Sequence, residues 1–239
     1  MHKIEKEKLR KPPRLVGRLA ASITISGAIS LIPIILASYF MVNYLDLPLY
    51  ILIGLTPLYY ILTKWIFNLT FLVMTRVQLK PIEEGSHEVD MRNTNVRNWM
   101  INATLTNSAI KFMGNPPLGQ TMFNGFVYRL LKSKMGPGAT PDKVSDPYLV
   151  EMGTSSVGGG GSFFTPHISE GNKLYVKKIK IGDGAVVGVY SLVFPGVEIG
   201  EGAVVGAYSY VPRDTKIPPN TFWAGVPAKQ ISPKPNSRK

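Results

Sequence analysis

The chain holds three histidines and no cysteine. Without cysteine there is no disulfide framework, thiolate metal site or sulfur nucleophile, so proton transfer near neutral pH falls to histidine. His87 stands in a polar stretch and reads as a surface residue. His167 stands in the segment TPHISEGNKL, between two stretches of regular patterning. A histidine there can take a proton from a hydroxyl or an amine if a carboxylate orients its ring and stabilises the imidazolium. Glu170 and Glu151 are the carboxylates nearby in sequence. Either can play that part, and each can equally be a solvated turn residue, just as His167 taken alone reads as an exposed loop residue.

A repeat surrounds His167. Steps of six from Tyr175 reach Ile181, Val187, Val193, Ile199, Val205, Val211, Ile217 and Trp223, a column of large apolar residues. Four residues after each comes a mostly small one: Ile179, Ala185, Ser191, Val197, Ala203, Ser209, Thr215, Thr221 and Pro227. An amphipathic strand repeats every two residues and a helix every 3.6, so a six-residue register fits neither. It fits short flat strands wound into triangular coils, each strand giving one large inward residue, with Gly, Asn, Asp and Pro at the corners. Met152, Gly158 and Phe164 continue the large column upstream in a shifted phase, with Ser156, Ser162 and Ile168 on the small one. The slip between Phe164 and Tyr175 predicts an excursion loop, and loops thrown out of a regular solenoid often carry function.

Upstream the composition changes. Leu19–Leu45 is a run of 27 uncharged residues, and Leu47–Thr75 is apolar apart from Lys64. Two membrane spans are expected at about 19–43 and 48–75, with a turn at Asn43–Pro48; a secretory leader is the alternative, for which the first run is too long. Residues 1–18 carry seven Lys/Arg against two Glu, and Arg76 and Lys80 follow the second span. The positive-inside rule then puts both termini and the C-terminal domain in the cytoplasm. The formal net charge of +12 suits an anionic membrane or a polyphosphate ligand; no zinc finger, RNP pattern or basic helix with interleaved aromatics supports nucleic acid as a partner. Arg97–Lys111 and Gln120–Met135 read as helices, stopped at Gly114–Pro117 and at Gly136–Gly138. Either could lie in the membrane interface or pack on the coils. The expected organisation is therefore a basic segment 1–18, a transmembrane hairpin 19–75, a partly helical link 76–144, the coils 145–231 and a basic tail 232–239.

The repeats and the ending WAGVPAKQI resemble the hexapeptide-repeat acyltransferase family over about residues 145–231. Trp99, Leu130–Leu131 and the phrase Asp146–Gly153 (DPYLVEMG) resemble, more loosely and back to about residue 85, the membrane-associated hexapeptide domains at the ends of some nonribosomal peptide synthetases. The resemblance implies an all-β left-handed parallel β-helix, here with an N-terminal two-helix transmembrane hairpin and short linking helices. It implies a homotrimer with sites between subunits, acetyl-CoA or another acyl-CoA as co-substrate, no metal, and His167 as general base where the excursion leaves the coils. Pantetheine would meet the backbone at Gly188, Val189, Gly206 and Ala207, and Arg213 and Lys229 would meet phosphate. Sugar-acetylating relatives often carry Trp where this chain has Val186, which sets that subtype apart. A γ-type carbonic anhydrase shares the coil but needs three zinc-binding histidines, and the coils hold one. A non-catalytic trimeric scaffold at the membrane is the remaining alternative. The acceptor, the acyl length and the choice between CoA and a carrier protein are not encoded in these motifs.

Overall fold

The computed structural model describes residues 13–44, 48–113 and 120–233. The basic segment 1–12, the middle of the expected turn (residues 45–47), the Gly114–Pro117 stop and the tail from 234 lie outside the described residues. The chain divides into two units, residues 1–77 and 78–239.

The first unit is helical: α1 (Pro13–Tyr44), a short α2 (Leu49–Gly54) and α3 (Thr56–Gln78). Gly17–Asn43 within α1, and α3 itself, are long and apolar enough to cross a membrane. Large side chains such as Ile35, Leu36, Tyr39, Phe40 and Tyr60 stand exposed along them. Ser22, Ser26 and Ser30, spaced by four and so on one face of α1, are buried; small residues in such a row let helices approach closely. The second apolar stretch, expected as one helix, is broken at Leu55. Pro57 has no N–H for the carbonyl of Ile53, and the Thr56 hydroxyl donates to that carbonyl instead.

The second unit is a parallel β-helix capped by two helices, α4 (Thr94–Met113) and α5 (Gln120–Leu130). Corresponding rungs lie 18 residues apart, as Val187 pairs with Val205 and Val193 with Val211, so three six-residue steps close one coil. One face stacks Lys134–Met135, Val150–Met152, Ile179–Ile181, Glu198–Ile199 and Lys216–Ile217; the second stacks Val157–Gly158, Val186–Val187, Val204–Val205 and Thr221–Gly225; the third stacks Lys143–Val144, Phe163–Phe164, Leu192–Val193 and Tyr210–Val211. The second residue of each two-residue rung points in, and the large and small columns fill one continuous core. The strand Ala228–Pro233 folds back antiparallel on Thr221–Gly225 and covers the last edge of its face.

The outward columns differ between faces. The first carries Lys134, Glu151, Lys180, Glu198 and Lys216 on successive rungs. Lys134 pairs with Glu151 at 3.0 Å, Lys180 with Glu198 at 3.5 Å and Lys216 with Glu198 at 3.9 Å. The other two faces present Val157, Val186, Val204 and Phe222, and Lys143, Phe163, Leu192 and Tyr210.

Three expectations are revised. The coils start at Lys134 rather than 145, because Lys134–Met135 and Lys143–Val144 already pair with the next coil. The second linking helix therefore stops at Leu130, and Met135 lies in a rung. Tyr175 and Ile168 leave the columns: they face each other in a hairpin outside the coils, and Ile179 is the first coil residue after it. α5 caps the open first coil. Its Tyr128 joins the core and donates to the Asp142 carbonyl at 3.0 Å, while Asn124 donates to the same carbonyl at 2.9 Å. Burial, the largest cause, pushes the Tyr128 phenol up to about 12, so it stays a neutral donor.

Gly158 holds a large-column place because Phe164 fills it: a Cβ there would meet the Phe164 ring at 2.9 Å. The two sites are coupled. Gly158→Val is expected to lower stability by about 1–3 kcal/mol through overpacking, and Phe164→Val by a similar amount through the cavity it leaves. The double variant should lose clearly less than the sum, read as thermal unfolding in detergent; strict additivity would refute the shared space.

Candidate active site

The excursion is a hairpin whose strands His167–Glu170 and Lys173–Val176 pair antiparallel, with Gly85–Glu88 added on the outer side of Lys173–Val176. His87, in that added strand, makes a 2.8 Å hydrogen bond through Nε2 to the Glu83 carbonyl, a local surface contact. The hairpin's neck is closed by the Lys177 N–H donating to the Pro166 carbonyl at 2.9 Å and by the Thr165 hydroxyl donating to the His167 carbonyl at 2.9 Å. His167 sits in this neck.

Its partner comes from the coil below. Val144 and Phe164 are stacked rung residues, and the Ser145 N–H donates to the Phe164 carbonyl at 3.1 Å. Just past those rungs, Asp146 on one coil and His167 on the next meet: His167 Nδ1 is hydrogen-bonded to Asp146 Oδ2. The Asp146 side chain is fully buried and that of His167 is 25% exposed. Asp146 precedes the 3₁₀ turn Pro147–Leu149 but makes no side-chain cap bond to it, which leaves the carboxylate for the imidazole. The Tyr148 hydroxyl donates to Asp146 Oδ1 at 3.2 Å. Burial, and next the Asp146 charge, hold the Tyr148 phenol well above its ordinary range, so it remains a neutral donor.

α4 completes the wall. Asn93 caps it, its Oδ1 accepting the Asn95 N–H at 2.9 Å. Buried Asn98 and Asn102 donate to the carbonyls of Pro81 at 3.1 Å and Lys80 at 2.8 Å, and Asn102 Oδ1 accepts the Lys80 N–H at 3.0 Å. From the same helix the Trp99 ring lies 4.8 Å from the His167 ring, tilted by 59°. Its indole N–H is buried without a partner among the described residues. Val96, Leu149, Leu174 and Val176 form the apolar cluster beneath.

The acid at His167 is thus Asp146, in place of Glu170 or Glu151. Glu170 pairs with Arg213 at 2.8 Å, and Glu151 pairs with Lys134 at 3.0 Å and Lys178 at 3.7 Å. Asp146 stood in the quoted DPYLVEMG phrase, but its meeting with His167 runs vertically between two coils. Finding it requires knowing that a coil begins before Asp146. Trp99 enters the looser resemblance as the tryptophan of a helix, with no role at His167 attached to it.

The residues expected around a donor lie on adjacent coils, away from that contact in sequence. A Cβ on Gly188 would meet the Ala207 nitrogen at 2.4 Å, so the coils touch there backbone to backbone. The N–H groups of Gly188 and Gly206 donate to the Val205 and Trp223 carbonyls. Among the described residues no acceptor takes the N–H of Val189 or Ala207. Lys229 is exposed in the closing strand, opposite Ala224. Arg213 is already engaged: besides Glu170 it lies 5.5 Å from the centre of the Tyr175 ring. Asp214 beside it accepts from the Tyr175 hydroxyl at 3.0 Å and from Lys177 Nζ at 2.5 Å. Arg213 and Asp214 together clasp the hairpin to a coil corner.

No family model and no curated protein sequence matches the chain. Similar solved structures include a maltose O-acetyltransferase from Clostridium difficile 630, 16% identical with a TM-score of 0.48, covering 63% of this chain and 94% of that one. The hexapeptide-repeat containing acetyltransferase VCA0836 from Vibrio cholerae is 20% identical with a TM-score of 0.40, covering 56% and 91%. AntD, an N-acyltransferase from Bacillus cereus solved with dTDP and 3-hydroxybutyryl-CoA, is 20% identical with a TM-score of 0.34; the match spans 42% of this chain and 65% of that one.

The clasp has a pH window. Burial raises the Asp214 pKa, but the Lys177 and Tyr175 hydrogen bonds outweigh it and hold the carboxyl below its ordinary 3.8. A depressed acid stabilises above its unfolded pKa, and that contribution is lost as pH falls through the lower folded value. The Asp214 hydrogen bond raises Lys177 above 10.5; its contribution is full below that value and lost as pH rises through the higher folded one. Asp214→Asn should therefore speed amide exchange across residues 168–176 at pH 7 by about two- to ten-fold, the scale of exposed ion pairs. The wild type should approach the variant once Asp214 is protonated; identical exchange at pH 7 would exclude the clasp.

Proposed function

We propose that the chain is a membrane-anchored acyltransferase, moving an acyl group, with acetyl as the expected one, from a coenzyme A thioester to a hydroxyl or amine. The observation that carries this reading is the pair of His167 with buried Asp146 at the neck of the excursion. A carboxylate accepts, so Nδ1 carries the hydrogen and Nε2 presents a lone pair. As the acceptor's oxygen or nitrogen attacks the thioester carbonyl, its proton passes to His167 Nε2. Asp146 holds the ring and stabilises the imidazolium that forms, and Tyr148 holds Asp146. Collapse of the tetrahedral intermediate breaks the carbon–sulfur bond, and the proton returns from Nε2 to the departing thiolate.

For the donor, the N–H groups of Val189 and Ala207 suit the amides of pantetheine along the contact of Gly188 with Gly206, and Lys229 suits its phosphates. Arg213 contributes by fixing the hairpin that bears His167. A left-handed coil in a homotrimer is the matching assembly, with the two outward columns that are apolar from the second rung on, Lys143 standing at the first rung of one, against neighbouring copies and the charged column in water. α1 and α3 serve as the anchor; the basic N-terminal segment with Arg76 and Lys80 favours a cytoplasmic β-helix, where acyl-CoA is found.

Titrating acetyl-CoA into the detergent-purified chain by calorimetry tests the donor site, and thiol release over a panel of acceptors tests turnover. His167→Ala should lower turnover by about 10²–10⁴-fold while acetyl-CoA binding stays within a few-fold. Asp146→Asn should lower turnover with binding equally unchanged. Absence of binding by any acyl-CoA would reject the donor site and leave the scaffold reading.

A further inference from the structure

A cavity borders the neck on the other side of Tyr148 and Leu149. It measures about 360 Å³ and is lined by Leu79, Lys80, Pro81, Ile82, Lys132, Tyr148, Leu149 and Lys178. Its floor is apolar and aromatic, and three lysines border it. The carboxylates near it are Glu84 and Glu151, 3.8 Å and 3.7 Å from Lys178 Nζ, with Glu151 shared with Lys134 at 3.0 Å, and Asp146, which lies behind the Tyr148 hydroxyl and pairs with His167. Lys132 donates one hydrogen to the Leu79 carbonyl at 3.2 Å, which leaves two donors. Among the described residues no acid pairs with Lys80 or Lys132. The cavity is thus net positive above an apolar base.

Lys132 holds its place under strain. It lies in the turn just after α5 with φ at 67°, its N–H donating to the Arg129 carbonyl at 3.1 Å, and the next N–H, of Ser133, to the Tyr128 carbonyl at 2.9 Å. That left-handed terminal position favours glycine. Lys132 takes it without glycine, as Ser155, Tyr190, Tyr208, Asp214 and Asn220 do elsewhere, and its ammonium borders the cavity. Leu79–Ile82 is also the segment that directly follows α3, and Asn98 and Asn102 fix its backbone.

We infer that this cavity binds the phosphate of an anionic membrane phospholipid, with Lys80, Lys132 and Lys178 on the phosphate and the apolar floor beneath the glycerol and the first carbons of the chains. The inference rests on the reading of α3 as a membrane span, because only then does the segment at residue 79 meet lipid headgroups. A volume of about 360 Å³ holds the phosphate, the glycerol and the first carbons of the chains, and not the full acyl tails. Lipid bound there would touch Tyr148, which also meets the carboxylate of Asp146, the Asn102 side chain and the apolar cluster under α4.

The test is calorimetric titration of the detergent-solubilised full chain with dihexanoyl-phosphatidylglycerol, beside dihexanoyl-phosphatidylcholine, glycerol 3-phosphate and acetyl-CoA. Saturable binding of phosphatidylglycerol, at least ten-fold tighter than either comparison ligand, is expected. Lys132→Gly should weaken it several-fold without lowering the melting temperature, since glycine relieves the backbone there. Lys80→Gln/Lys132→Gly/Lys178→Gln should weaken it at least ten-fold while acetyl-CoA binding is unchanged. Equal affinity for phosphatidylcholine would overturn the charge argument, and equal affinity for glycerol 3-phosphate would overturn the lipid assignment. Undiminished binding by the triple variant would overturn the site. Loss of acetyl-CoA binding in the wild type would reject the donor site alone.

Discussion

The structure depends on the backbone contact between successive coils. Each coil must lie at hydrogen-bonding distance from the next along all three faces, so no side chain can stand between them. At Gly188 the space that a Cβ would occupy already holds the neighbouring Ala207 nitrogen at 2.4 Å. The interior then has room for one large residue per rung and a small one beside it, which is the six-residue pattern. Open ends follow as well: an unpaired first coil needs the cap that α5 supplies through Tyr128 and Asn124, and the last needs the folded-back strand Ala228–Pro233.

The same contact explains how a rigid solenoid can carry a reactive pair. A rung cannot move, but chain can leave between rungs. The excursion departs after Phe164 and rejoins at Ile179, and its neck inherits the fixed spacing of the coils. His167 therefore stands at a set height above Asp146, and the clasp at Arg213 and Asp214 limits the hairpin's swing. α4 adds Trp99 on one side and, through Asn98 and Asn102, ties down the segment arriving from α3. A chain of hydrogen bonds or contacts thus joins residues 80–81, α4 and the neck, all within the second unit.

How much of this was readable varies with the range of the signal. The repeat from Ile179 to Trp223 was plain, because each rung tests the same two positions and the period accumulates. His167 was readable as the histidine in the interruption. The first coil was not, since Met135 and Val144 are isolated rungs amid turn residues and Gly158 replaces a large residue that only Phe164's ring explains. With that coil unseen, Asp146 could not be placed beneath His167, and the nearer carboxylates Glu151 and Glu170 stood in its stead. Tyr175 kept the six-step phase by coincidence, which hid where the hairpin ends. The break at Leu55 was not read, since a proline such as Pro57 is tolerable inside a span when the freed carbonyl finds a partner, which here is the Thr56 hydroxyl.

The outward column of the first face bears on folding as well as on solubility. Coils of near-identical sequence invite a chain to assemble one coil out of step, with a whole turn looped out and the rest stacked as well as before. The interior hardly resists such an error, for Ile181 and Ile199 are interchangeable. The alternation Lys134, Glu151, Lys180, Glu198, Lys216 does resist it. Omitting the turn that bears Lys180 would lay Glu151 against Glu198, and omitting the turn that bears Glu198 would lay Lys180 against Lys216. Like charges directly opposed on neighbouring strands are unfavourable, so pairs that each contribute little to the finished fold act together as a proofreading code for the order of the coils.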